Sequence, residues 1–155
     1  MIVNIKKLYF FVFLISIFSI LSAIYIEFVL GIKPCVLCLY QRVPYIVAIF
    51  ICFLGYYNNS FFWIYFLFLI FLIGVFLSSY HLGIENNIFN EFSGCTDGNL
   101  KITNKLELLN SLKNVVIGCK SVNFRILGLS LATINFIISL AISVIIYLII
   151  KYEKN

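Results

Sequence analysis

The chain has 155 residues, of which 63% are hydrophobic and 11% charged, far from the roughly half apolar and about 25% charged composition of a soluble domain. With 18% aromatic residues and a mean hydropathy of +1.10, it has no polar excess of the kind that keeps a disordered chain solvated. A soluble globule and a disordered chain are both excluded, and the net charge of +5 is scattered, which suits anionic lipid headgroups better than nucleic acid.

A bilayer core about 30 Å thick takes about 20 apolar helical residues to cross, and four stretches meet that need. The first, Leu8 to Leu30, follows Lys6 and Lys7 and carries one charge, Glu27. It outruns the roughly 7 to 15 apolar residues of a signal peptide and three more spans follow, so it is read as retained. The second, about Leu39 to Tyr57, is interrupted early by Gln41, Arg42 and Pro44. After a turn over Asn58, Asn59 and Ser60 comes the third, Phe61 to Tyr80. The fourth, Ile126 to Ile150, is uncharged like the third.

Between the third and fourth spans lies a long loop, about His81 to Arg125 (81–125), while a short loop (31–38) joins the first two. Within the long loop, Ile102, Leu106, Leu109, Leu112 and Val116 recur at helical spacing in KITNKLELLNSLKNVV. That period predicts an amphipathic helix over Lys101 to Val116, lying on the membrane surface or packed on the loop's own core. The expected fold is an all-α integral membrane protein of one domain (1–155), a four-transmembrane-helix bundle with one long loop holding a short amphipathic helix.

Five cysteines occur: Cys35, Cys38, Cys52, Cys95 and Cys119. Cys52 lies mid-span and reads as a small buried hydrophobe. The other four allow three pairings. The local one is favoured, because Cys35 and Cys38 are neighbours and Cys95 and Cys119 share a loop. Disulfides persist on the oxidising side of a membrane, which places both loops outside. Lys6 and Lys7 then lie inside, as the positive-inside rule asks, although the long loop is itself basic. Zinc held by four thiolates is the rival reading. A second CxxC is missing and no histidine stands at ligand spacing, so no metal is expected.

The chemistry concentrates in PCVLC. Pro34 suits a helix start, and unpaired N–H groups in a first turn favour a thiolate. Arg42 follows Cys38 by four residues, which on a helix brings its charge to the same face. A cation beside a sulfur marks a reactive cysteine, and an arginine at membrane depth is a functional candidate by default. His81, the single histidine, ends the third span. It reads as an interfacial residue bonded to headgroups or backbone, with a proton route as the alternative. Glu27 and Glu85 read as solvated interface residues.

Taken together, PCVLCLYQR (Pro34 to Arg42), YHLGIE (Tyr80 to Glu85), Cys95 between glycines and CKSVNFRILGLSLATIN (Cys119 to Asn135) resemble the DsbB family of membrane disulfide bond formation proteins over nearly the whole chain. The resemblance implies a bacterial inner-membrane thiol:quinone oxidoreductase with both termini cytoplasmic and the cysteine loops periplasmic. Its partners would be a periplasmic thioredoxin-like, DsbA-like thiol oxidase and the membrane pool of ubiquinone or menaquinone, with no nucleic acid. Cys95 would be attacked by the reduced partner and Cys119 would resolve that bond. Electrons would pass to Cys35 and Cys38, and Cys38 would contact the quinone beside Arg42. The chain departs from the family in having Phe124 where tryptophan is common and Lys120 where an acidic residue is, which bears on loop docking and partner preference. A non-enzymatic scaffold stapled by disulfides is the alternative, and a reductase running electrons the other way differs only in direction.

Overall fold

The chain has two prolines, Pro34 and Pro44, so nothing breaks the remaining apolar runs and each becomes one long helix. In the computed structural model, which describes residues 5–90, 118–119, 124–126 and 128–154, these are α1 (Ile5–Phe28), α4 (Phe62–Glu85) and α5 (Leu131–Lys154), of 24 residues each. The second span is built in two pieces, α2 (Val36–Tyr40) and α3 (Val43–Asn58). Pro44 has no N–H to donate and its ring crowds the carbonyl of Tyr40, so the ladder stops and restarts across Gln41 and Arg42. Four helical stretches, Ile5–Phe28, Val36–Asn58, Phe62–Glu85 and Leu131–Glu153, are long and apolar enough to cross a membrane.

Helix bounds differ from the expected spans mainly around the long loop. α4 runs past Tyr80 through His81 to Glu85. The last helix starts at Leu131 rather than Ile126, because residues Arg125–Ile126 (β1) and Leu129–Ser130 (β2) pair antiparallel, Arg125 with Ser130 and Ile126 with Leu129. Gly128 turns this hairpin at φ +84°, where a side chain would be strained. Ser130 then accepts the Thr133 N–H at 3.2 Å on Oγ, a capping contact that starts the helix there. This small ladder is the one departure from an all-helical chain among the described residues. The expected amphipathic helix over 101–116 lies outside the described residues.

Packing runs as a row: α1 on α3, α3 on α4, and α4 on α5. Its core takes Tyr9 and Val12 from α1, Ala48 and Cys52 from α3, Ile64, Leu67 and Phe71 from α4, and Ile142 and Ile146 from α5. Gly55 lets α1 and α3 approach closely, since a Cβ there would lie 2.5 Å from Tyr9 Cζ. The Tyr9 hydroxyl in turn donates to the Ser60 carbonyl at 2.8 Å. Outward-facing Phe50, Phe53 and Phe76 are 66%, 67% and 71% exposed. An aromatic surface so open would aggregate in water and is stable against lipid.

At the loop-bearing end a second, smaller cluster joins Cys35, Leu37, Ile84 and Cys119, with Cys38 and Tyr80 against it. This cluster brings three elements to the cysteines.

Candidate redox site

Cys35 is the N-cap of α2, in extended backbone after Pro34, so its side chain turns back over the first helical turn. The Cys38 N–H donates to the Cys35 sulfur at 3.2 Å, and the two sulfurs are 2.9 Å apart and share a hydrogen bond. Cys35 stands just before the second span. The bond shared with the Cys38 sulfur is the main cause of a Cys35 pKa pulled down to about 4; burial opposes it, and His81 and the Cys38 N–H add to it. An acceptor of two donors holds negative charge more easily than a free thiol does. Cys35, Cys38 and Cys52 are free thiols, whereas Cys119 is in a disulfide. Cys95 lies outside the described residues.

His81 comes to the pair from α4. Its Nε2 is 3.7 Å from the Cys35 sulfur, and its Nδ1 is 3.1 Å from the Gln41 side-chain nitrogen. With the Gln41 amide donating to Nδ1, the ring proton sits on Nε2 and faces the sulfur. A backbone hydrogen bond also joins Cys119 to His81. One turn on, Glu85 places Oε1 3.8 Å from Nε2, and its Oε2 accepts from Ser130 Oγ at 2.6 Å. The interfacial position expected of His81 is corrected, since the residue is 3% exposed because α4 continues beyond it and Gln41 and Cys35 cover it, while the expected bond to backbone is present, to Cys119. Glu85 is likewise held by protein groups rather than solvated.

Arg42 does not stand on one helix with Cys38, since the break at Gln41 intervenes. Its Nη1 lies 2.6 Å from Glu27 Oε2, with the two side chains 21% and 27% exposed. Glu27 is thus a counter-ion rather than a solvated interface residue. Arg42 and Cys38 meet instead at a cavity of about 300 Å³, which is also lined by Cys35, Gln41, His81, Glu85 and Cys119. The rest of its wall is mainly apolar, from Phe18 to Ile26 of α1 and from Leu131 to Ile138 of α5. An apolar cleft of this size with a few converging polar groups is the form of a small-molecule site.

The structure thus gathers Cys35, Cys38, Arg42 and Cys119 in one place. Sequence reasoning left Gln41, Glu85, Glu27 and Asn135 unused and undervalued His81. The four-residue step from His81 to Glu85 was the one available signal, because it puts both on one helix face. The Cys35, Cys38 and His81 ligand atoms all lie within 4.8 Å of one another, a set of three where a structural zinc takes four.

A four-helix membrane protein that sets a CxxC pair beside a disulfide and an apolar cavity has the architecture of a membrane thiol–disulfide oxidoreductase. The family model described as disulfide bond formation protein DsbB matches residues 5–149, and the chain belongs to that family. It is a multi-pass membrane protein of disulfide bond formation. No curated protein matches the chain.

Proposed function

We propose that the protein is a thiol:quinone oxidoreductase, which reoxidises a periplasmic thioredoxin-like, DsbA-like dithiol and passes two electrons through its two cysteine pairs to ubiquinone or menaquinone. The observation that carries this reading is the cavity: Cys38, Arg42 and His81 line an apolar space between α1 and α5, where a lipid-soluble acceptor and a dithiol can meet. The residues fit such a group, since the wall is apolar and the buried Asn135 Nδ2 on that wall has no hydrogen-bond partner. Arg42 and Cys38 would hold the quinone, which when bound supplies a two-electron, two-proton acceptor.

The chain's own residues do the rest. Partner thiolate attacks Cys95 and displaces Cys119. The partner's second thiol, rather than Cys119, then resolves this mixed disulfide, because attack by Cys119 would only return the partner reduced, and Cys95 and Cys119 are left as thiols. Cys119 thiolate then attacks Cys35 of an oxidised Cys35–Cys38 pair, releasing Cys38 as thiolate. Cys95 next attacks Cys119, which restores the loop disulfide and expels Cys35. A thiol of low pKa leaves faster, and the depressed Cys35 suits it to this role; Cys35 also packs in one cluster with Cys119. His81, with its Nε2–H toward Cys35, stabilises the departing thiolate and is placed to move a proton. Arg42 supplies positive charge at the cavity wall and Glu27 holds it there.

The orientation belongs to the same proposal, with the cysteine loops periplasmic and both termini cytoplasmic in a bacterial inner membrane. The Cys119 disulfide and the Lys6 and Lys7 pair support it. The test is direct: purified protein with quinone should oxidise a reduced thioredoxin-like partner, and Cys38→Ser should abolish quinone reduction. Full turnover in that variant would defeat the assignment.

A further inference from the structure

Among the described residues, three buried side chains have a polar atom without a hydrogen-bond partner: Ser16 Oγ, Ser143 Oγ and Asn135 Nδ2. Neither serine lines the cavity, whereas Asn135 does. We infer that Asn135 is a head-group ligand in this cavity, its Nδ2 donating a hydrogen bond to a carbonyl oxygen of the acceptor bound there. The inference rests on the quinone reading above and adds a residue that this reading's electron path does not use.

The orientation of the amide is set by its neighbour. The Tyr45 hydroxyl donates to Asn135 Oδ1 at 2.5 Å, so the carbonyl end faces Tyr45 and the two N–H bonds of Nδ2 are left over. Tyr45 cannot easily move aside. It is 5% exposed, its ring meets Phe71 edge-on at 5.8 Å, and its hydroxyl is also 3.3 Å from Ser139 Oγ. Buried donors are almost always satisfied, and one left unmade is costly. An unpaired donor on a residue of a mainly apolar cavity wall is matched by a neutral acceptor, because an ion would have to shed its water to enter. A carbonyl on a lipid-soluble ring has that chemistry.

The test uses the full chain in detergent and a short-tailed ubiquinone labelled with ¹³C at its carbonyls. Isotope-edited infrared spectra should show one carbonyl band lowered on binding to the native protein. In Asn135→Leu that lowered band should vanish and the dissociation constant should rise about tenfold, the loss expected for one net hydrogen bond. Should that variant fail to fold, Tyr45→Phe serves instead: it frees the amide to turn, so the lowered band should broaden and binding should weaken by a smaller factor. An unchanged band and affinity in Asn135→Leu, or in Tyr45→Phe where that substitutes, would overturn the role of Asn135 and leave the quinone reading standing. Absence of binding by the native protein would overturn both.

Discussion

Arg42 and Glu27, fifteen positions apart, meet at 2.6 Å across the junction of α1 with the broken second span. The contact ties the one arginine of the cavity wall to a helix whose other contributions to that wall are uncharged. Glu27→Gln should therefore leave a partly buried guanidinium underpaired and lower stability in detergent by about 1–3 kcal/mol, read by thermal unfolding. Arg42→Ala should raise the apparent KM for quinone more than it weakens partner binding. An unchanged KM would remove Arg42 from the site.

The depressed Cys35 gives a pH signature. Alkylation of Cys35 in the reduced protein, followed by mass spectrometry, should be flat from about pH 8 to about pH 6 and fall only as pH approaches about 4, whereas an ordinary thiol loses reactivity below about 8.5. Because the folded pKa lies below the unfolded one, the thiolate's contribution to stability is complete above the unfolded pKa. It shrinks as pH falls and is gone below about 4. A rate that drops tenfold per pH unit through neutrality would contradict this.

Removing the ring of His81 should slow exchange without unfolding the bundle. Given the usual worth of a positioned acid or base, His81→Ala should cost about 100-fold in the rate of Cys35–Cys38 reduction, measured by stopped-flow thiol trapping. Gln41→Leu should move the same rate in the same direction by less, because it removes only the partner of Nδ1. Equal rates in all three proteins would leave His81 a packing residue.

Gly55→Ala tests the α1–α3 approach. The added methyl would meet the Tyr9 ring at 2.5 Å, and overpacking of this kind costs about 1–3 kcal/mol. A lowered unfolding temperature with thiol chemistry preserved is expected, since Tyr9 sits in the bundle core apart from the cysteine cluster.

The four spans were legible because crossing lipid demands long apolar runs, and the cysteines and Arg42 because charge and thiols are conspicuous in such runs. The break at Pro44 was visible as a disturbance, but not as a split of the second span into α2 and α3 across Gln41 and Arg42. Tertiary pairings were not legible: Glu27 with Arg42, Gln41 with His81 and Tyr45 with Asn135 join separate helices at no periodic spacing. His81 was misjudged because its burial depends on where α4 ends, and helix ends are set by local hydrogen bonds more than by hydropathy.

The first and the last of the long helices face each other across the cavity without forming one of the main packed pairs of the row. Because α1 precedes α5 in the chain, the chamber has its second wall only once α5 has joined the row. A chain that stops after α4 would carry its CxxC without the wall that Leu131 to Ile138 supply.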